Sequence, residues 1–406
     1  MNLDKMHSIA ELRQAARRRL PQMVFDYLDG GAEDERGLAR NRAAWSRIGF
    51  HPRRLVDVSR VDPGTCILGS KASLPAVVAP TGLNGLLWPL GDVVLARCAS
   101  SVGIPFVLSS ASNQTIEAVA EQAGGDLWFQ LYVLTRESSA QLVRRVLAAG
   151  YRKLVLTVDV PVNGKRERDL RNGFGLPIRY SPGTLVDGLL HPRWSLGLLR
   201  GGTPQLANFV DSVAGSVEKQ GALLRRRMDA SFDWNSLAWL RDLWPHDLVV
   251  KGVLHVVDVQ RCFDLGVNGV VLSNHGARQL DDAIAPIEAL HAMPKDWKPR
   301  LMLDGGVRRG SDIVKAVAAG AGGVMLGRAL LYGLAAAGEE GVMRALSLLQ
   351  EEVRVTMANL GVPSVQALGP ENLSWLGRGA AQAGPSRSLA LGATSACQTG
   401  GVVSCI

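Results

Sequence analysis

Apolar residues in this chain follow two alternating patterns. Short compact runs occur at 76–79, 105–108, 127–131, 154–158, 248–250, 269–272, 301–303 and 323–326. They are rich in Val and Leu and lack strict alternation with polar residues. Such runs suit strands buried on both faces, as in a parallel sheet. Between them, spaced apolar positions predict helices over 92–102, 115–122, 137–149, 256–265, 286–292 and 310–319. Three further helices, over 9–20, 21–30 and 33–45, precede the first run. Eight strands alternating with helices predict an α/β fold, a (β/α)8 TIM barrel. A doubly wound open sheet is the competing arrangement. It calls for a glycine fingerprint after the first strand, and Pro80-Thr81-Gly82-Leu83-Asn84-Gly85 is a poor one.

The pattern divides the chain into an N-terminal helical segment (1–50), a barrel (51–370) and a tail (371–406) of Gly, Ala and Ser expected to be flexible. A long connection, 161–244, separates the fourth and fifth strands and lacks obvious barrel elements. Its insertion, 176–215, is unlike a solvent linker. Leu185, Leu189, Leu190, Trp194, Leu196, Leu198, Leu199 and Phe209 alternate there with Pro, Gly and the arginines 179, 193 and 200. Two readings stay open on these residues: a segment lying in a membrane interface, or a lid folded on the barrel or a partner subunit.

Composition narrows the function. With 47% hydrophobic and 20% charged residues the chain is globular, and a net charge of +8 favours anionic partners. No basic run carries interleaved aromatics, so nucleic acid is not expected. Cys66, Cys98, Cys262, Cys397 and Cys405 have no metal-ligand spacing, which argues for a reducing compartment and against a zinc site or disulfide framework. Residues 1–14 are polar, unlike a signal peptide, and no run reaches the ~18 apolar residues of a spanning helix. The expected location is cytoplasmic.

A barrel collects its chemistry at the C-terminal ends of its strands. Polar residues stand at every one of them: Thr81, Ser109, Gln130 with Tyr132, Thr157 with Asp159, Lys251, Ser273 with His275 and Arg278, Asp304, and Arg328. His275 and Arg278 set a base that titrates near neutrality beside a fork that grips carboxylates. Asp304-Gly305-Gly306-Val307-Arg308 and Gly327-Arg328 end the last two strands, where glycine backbones, helix N-termini and arginines make the recurrent phosphate site of barrels. With no Walker motif, that phosphate belongs to a held cofactor.

Together, Ser-Asn-His-Gly-x-Arg-Gln-Leu-Asp (273–281), Asp-Gly-Gly-Val-Arg (304–308) and Gly-Arg (327–328) resemble the FMN-dependent L-2-hydroxy acid dehydrogenase and oxidase family. Phe-Asp-Tyr-Leu-Asp-Gly-Gly-Ala (25–32) and Thr-Val-Asp-Val-Pro-Val-Asn-Gly-Lys-Arg-Glu-Arg-Asp (157–169) extend the likeness over residues 8 to 370. Pro-Thr-Gly-Leu-Asn-Gly (80–85) and 124–132 resemble its mandelate-oxidising branch most.

The resemblance implies FMN, a catalytic base at His275 oriented by Asp159, and a carboxylate clamp of Arg166 and Arg278. Tyr27 and Tyr132 would bind the substrate's oxygens. Whether the base takes the proton from carbon or from the hydroxyl stays open. Lys251 would stabilise reduced flavin. Ala79, Pro80, Thr81, Gly82, Ser109, Gln130, Thr157 and Ser273 would surround its ring, Asp304 its ribityl chain, and Gly305, Gly306, Arg308, Gly327 and Arg328 its phosphate. No metal is implied. Ala111, where glycolate oxidases carry tryptophan, implies room for mandelate or another bulky 2-hydroxy acid. The chain shows no haem domain, so the implied acceptor is a membrane quinone. That favours membrane contact by the insertion, on the inner face of the cytoplasmic membrane, and relatives imply a homotetramer. Alternatives are an L-lactate dehydrogenase or an oxidase passing electrons to oxygen, or a non-enzymatic barrel that binds a phosphate ligand.

Overall fold

The computed structural model describes residues 2–174, 181–202, 205–209 and 229–376. Eight strands form a closed parallel barrel in chain order: β1 (Ala76–Val78), β2 (Phe106–Ser109), β3 (Leu127–Leu131), β4 (Lys153–Thr157), β5 (Asp247–Val253), β6 (Gly269–Leu272), β7 (Leu301–Leu303) and β8 (Gly323–Leu326). β8 pairs with β1, which closes the sheet and leaves no barrel edge. The open-sheet alternative is therefore excluded.

Side chains alternate along each strand, and this alternation separates two cores. Val77, Val107, Trp128, Val155, Val249, Val271, Met302 and Met325 fill the barrel, while their neighbours pack outward against helices. Ile67 and Ala72, from a hairpin of Thr65–Ile67 and Ser70–Ala72, join the inner cluster and plug the barrel at the N-terminal ends of its strands.

The helices around the sheet are α4 (Gly91–Val102), α5 (Ile116–Ala123), α6 (Arg136–Ala148), α10 (Trp234–Leu243), α11 (Val256–Asp264), α12 (Pro286–His291), α13 (Gly310–Ala318) and α14 (Arg328–Leu360). Two corrections to the sequence pattern follow. The connection from β4 to β5 does contain a barrel element: α10 begins where the Asp233 carboxylate accepts from the Ser236 N–H, and it buries Leu237 and Leu240. The long α14, which breaks at 337–338, follows a strand whose successor does not exist, so the strand-to-strand pattern did not mark it.

Ahead of the barrel lie α1 (Ile9–Arg19), α2 (Gln22–Asp29) and α3 (Arg36–Ser46). α1 runs along α14. The Asp281 carboxylate, in the loop after β6, accepts from the Arg36 and Gly37 N–H groups and so caps α3. The strand Ile48–Phe50 pairs antiparallel with Leu373–Trp375, tying the start of the barrel to its end. Between β4 and α10 lie α7 (Glu167–Arg171), α8 (Pro182–Leu190) and α9 (Pro192–Gly201). Positions 176–180, 203–204 and 210–215 of the insertion, and 377–406 of the tail, lie outside the described residues.

Asp29 locks the N-terminal helices to the barrel. Its buried carboxylate accepts two hydrogen bonds from Arg13, both 2.6 Å, and one of 2.7 Å from the Tyr332 hydroxyl. Burial pushes its pKa up, but Arg13 and Tyr332 outweigh that and hold it below the usual value. Tyr332→Phe should lower stability by about 1–2 kcal/mol in urea titrations near neutral pH. A depressed carboxylate pKa contributes stability above its unfolded value of about 4 and loses it as pH falls through the folded value. The difference between the two proteins should therefore shrink in acid.

Candidate active site

The same alternation that fills the barrel sets its mouth. Two residues beyond Val107, Trp128, Val155, Val249, Val271 and Met302 come Ser109, Gln130, Thr157, Lys251, Ser273 and Asp304. These polar groups meet as a connected layer. The Ser109 hydroxyl donates to Gln130 Oε1 (2.9 Å), and Gln130 Nε2 donates to Thr157 Oγ1 (3.0 Å). Thr157 stands beside Lys251 in the β4–β5 register. Lys251 Nζ donates to Ser273 Oγ (2.9 Å) and pairs with Asp304 Oδ2 at 3.0 Å. Burial of Lys251 favours its neutral form, yet Asp304 and Asp159 raise its pKa above the ordinary value, so it is a buried cation.

One step further out, β6 ends in a strained turn. His275, Gly276 and Ala277 have φ of 56°, 61° and 60° in succession, a left-handed path that costs energy at the two residues with side chains. Side chains hold it. The Ser273 hydroxyl accepts from the His275 N–H, and Asn274 Oδ1 accepts from the Ala277 N–H. Asn274 and Asn41 of α3 exchange amide hydrogen bonds of 2.9 and 2.8 Å.

The turn presents the imidazole between Asp159 Oδ1, 2.8 Å from Nδ1, and the Tyr132 hydroxyl, 3.4 Å from Nε2. Burial raises the Asp159 pKa, while His275 and Lys251 more than offset it and hold the carboxyl below its usual range. An ionised Asp159 accepts a hydrogen bond from Nδ1–H, which leaves Nε2 as the basic nitrogen. Gly252 permits this packing, because a Cβ there would lie 2.6 Å from Asp159 Cβ and Cγ.

Facing the histidine are two guanidinium groups. Arg278 Nη1 donates to the carbonyls of Tyr27 (2.7 Å) and Gly30 (3.0 Å), and its head lies 5.0 Å from the centre of the Tyr27 ring. Burial and then Arg166 push its pKa down to about 10, which still leaves it cationic at neutral pH. Arg166 Nε pairs with Asp169 Oδ2 at 3.2 Å. The Tyr27 hydroxyl donates to the Gly82 carbonyl at 3.2 Å, and its ring stacks on Phe174 with centroids 4.5 Å apart. Burial raises the Tyr27 and Tyr132 phenols above their ordinary value, so both stay protonated.

At the far end, Gly305 and Gly306 turn with φ of 85° and 79°. The Trp45 indole donates to the Gly305 carbonyl (3.1 Å), and Arg42 donates to that of Gly306. Arg308 donates to the Val307 carbonyl. Arg328 donates to the carbonyls of Leu28 (3.1 Å), Gly276 (2.9 Å) and Gly30 (2.7 Å), so it braces α2 against the histidine turn while lining the cavity.

The histidine turn, both guanidinium groups, Lys251 and the Gly305–Gly306 loop open on one cavity of about 650 Å³, within the range of small-molecule sites. Of the residues expected from sequence, Tyr27, Ala79, Pro80, Thr81, Gly82, Tyr132, Thr157, Arg166, Lys251, His275, Arg278, Asp304, Gly305, Gly306, Arg308, Gly327 and Arg328 line it. Ser109, Gln130, Ser273 and Asp159 do not form its wall; they stand behind it and orient Thr157, Lys251 and His275. Sequence reasoning assigned no role to Asp169, Gln279, Asn163 and Phe174, which also line the cavity. Asp169 and Gln279 lay within conspicuous motifs, whereas Phe174 had no signal, since its place depends on stacking against Tyr27.

A family model described as FMN-dependent dehydrogenase matches residues 16–375. The chain belongs to that family. It is 54% identical over 369 residues to (S)-mandelate dehydrogenase of Pseudomonas putida, covering 91% of this chain and 94% of that one. It is 42% identical to an L-lactate dehydrogenase of Caulobacter vibrioides, over 89% of this chain and 96% of the relative. Among solved structures, that of the monotopic membrane protein (S)-mandelate dehydrogenase superposes with a TM-score of 0.88 at 53% identity, over 91% of this chain and all of that one.

The family's cofactor is FMN, and the residues present fit it. Asp304 Oδ1 is buried with no hydrogen-bond partner among the described residues, an acceptor suited to a polyhydroxyl chain. Lys251, Arg308 and Arg328 line the same cavity and would supply cations for an electron-rich ring and a phosphate. The space around Gly306 is tight from behind, where a Cβ would lie 2.3 Å from the Asn41 carbonyl. Gly306→Ala should force α3 away from the loop after β7, and the purified protein should lose most of its FMN, measured as flavin absorbance per polypeptide.

Proposed function

We propose that this protein oxidises an (S)-2-hydroxy acid with an aromatic or otherwise bulky side chain, mandelate foremost, to the 2-oxo acid. The observation that carries this reading is the ordered Asp159–His275–Tyr132 chain facing Arg278 and Arg166 across one cavity. A base, an anion clamp and a phenol donor are what a hydroxy acid needs, and (S)-mandelate dehydrogenase is the relative named above at 54% identity.

When bound, FMN supplies the two-electron acceptor. The chain's own residues do the rest. Arg278 and Arg166 hold the substrate carboxylate; the two carbonyls already bonded to Arg278 Nη1 fix its planar fork. Tyr27 and Tyr132, kept protonated by burial, donate to the substrate's oxygens. Converting an alcohol to a ketone releases two protons and two electrons. His275 Nε2 accepts one of those protons, the other leaving with the two electrons to the bound flavin, and Asp159 stabilises the resulting imidazolium. Lys251 offsets the negative charge that a reduced cofactor carries. Ser109, Gln130 and Ser273 keep this layer in register from behind.

The insertion supports a membrane location. Leu185, Leu189, Leu190, Leu196 and Leu199 of α8 and α9 are each more than half exposed, an unusual concentration of apolar surface. Trp194 and Phe209 differ from the sequence expectation, because both are buried against the body of the protein. The segment is thus fastened at one face and apolar at the other. Among the described residues no helix is long and apolar enough to cross a membrane. The proposal is peripheral binding at the inner face of the cytoplasmic membrane, electron delivery to a quinone there, and assembly as a homotetramer.

An anaerobic titration with a panel of 2-hydroxy acids tests the chemistry. (S)-mandelate should bleach the flavin, and His275→Asn should abolish bleaching while leaving FMN bound. Fast bleaching by lactate but not by mandelate would overturn the substrate assignment, and stoichiometric peroxide at full rate in air would replace the quinone by oxygen. For the membrane, Leu189→Glu with Leu199→Glu should move the protein from the pelleted membranes to the supernatant with flavin reduction by substrate retained.

A further inference from the structure

Asp92, in the first turn of α4, is fully buried, and none of the steps above uses it. No cation pairs with it among the described residues. Its carboxylate is instead shared between two loops. Oδ1 accepts from Asn84 Nδ2 at 2.7 Å, in the loop after β1. Oδ2 accepts from the Ser112 hydroxyl at 2.8 Å, in the loop after β2, and the Asn113 backbone N–H of that loop also donates to the carboxylate. Burial pushes the Asp92 pKa up while these donors pull it down. A buried carboxyl held only by neutral donors is expensive to keep, so its position has to be fixed by what it joins.

What it joins is one wall of the cavity. Asn84 Nδ2 also donates to the Thr81 carbonyl (3.1 Å), the Leu83 N–H donates to the Ala111 carbonyl (3.2 Å), and the Gly85 N–H donates to Asn113 Oδ1 (2.8 Å). Gly82 and Ala111 meet at the tip of the two loops, and both line the cavity. They sit so close that a Cβ on Gly82 would lie 3.0 Å from Ala111 Cβ. The insertion grips the same loops from outside: the Trp194 indole donates to the Leu86 carbonyl (2.7 Å), Asn113 Nδ2 donates to the Gln205 carbonyl (2.8 Å), and the Ala207 N–H donates to the Ser112 carbonyl (3.1 Å).

We propose that Asp92 is a positioning residue: by joining Asn84 to Ser112 it sets the spacing of the Gly82 and Ala111 loops, and that spacing decides how large a substrate side chain the cavity accepts. The inference rests on the 2-hydroxy acid reading given above, with the side chain lying against Gly82 and Ala111. Asp92→Asn keeps the shape but turns an amide N–H₂ toward donors, so one of the two loops is released. Ser112→Ala removes one of the second loop's two bonds to the carboxylate and leaves the Asn84 bond of the first loop in place.

Anaerobic stopped-flow reduction of the FMN-loaded variants by (S)-mandelate and by L-lactate reads the effect. A misplaced wall should lower the second-order rate constant for mandelate about tenfold or more and that for lactate much less, so the ratio of the two falls. FMN content should be unchanged. A proportional loss with both acids, or an unchanged ratio in a folded Asp92→Asn or Ser112→Ala holoenzyme, would overturn the assignment. If Asp92→Asn does not fold, Ser112→Ala carries the same comparison. Wild-type flavin that neither acid bleaches would instead refute the functional reading, and the Asp92 role with it.

Discussion

The two-residue alternation of side chains in a closed parallel barrel is the constraint on which the rest depends. Once Val249 and Val271 are committed to the interior, Lys251 and Ser273 are committed to the mouth, because a strand has no other way to turn them. Closure supplies the second half of the constraint. With every strand paired on both sides, the depths of neighbouring strands are locked, and Thr157 stands opposite Lys251. A slip of one residue in β5 would turn Lys251 toward the helices and Val250 toward the mouth.

This constraint concentrates charge in a place where charge is costly, and the site's electrostatics follow from how that is met. Lys251 has two carboxylates near it, Asp304 and Asp159, and Asp159 in turn has His275. Arg166 has Asp169. Arg278 differs: it is buried, its bonds go to the carbonyls of Tyr27 and Gly30, and no carboxylate forms an ion pair with it among the described residues. Carbonyl dipoles hold a guanidinium in place without neutralising it. Arg328 is held by carbonyls in the same way, so the cavity that these two arginines line keeps positive charge suited to anionic groups.

Legibility in the sequence tracks the range of the interactions. All eight barrel strands were visible, since a run such as Gly-Val-Val-Leu before Ser273 needs burial on both faces whatever surrounds it. The polar residues at their ends were visible for the same reason. What the sequence did not disclose depends on contacts between distant segments. The left-handed turn at His275 is stable because Asn41 and Asn274 meet across more than two hundred residues, and nothing local in either stretch announces that pair. Phe174 reaches the site by stacking on Tyr27. α10 is not marked by the pattern because its capping residue, Asp233, sits deep inside the long connection, far from the strand that precedes it.

The insertion combines an exposed apolar face with a fastening to the protein body. A helix lying on a membrane needs an apolar face and some attachment to the protein body. α9 divides these needs by position: Leu196 and Leu199 face out, while Trp194 turns in and spends its indole N–H on the Leu86 carbonyl. The residue type most often found at a membrane interface, Trp194, is therefore the one that turns inward. Because Leu86 lies between Asn84 and Leu87, both of which line the cavity, the same anchoring that orients the apolar face also steadies the substrate's wall. The anchored side and the exposed apolar side are then two faces of a single amphipathic element.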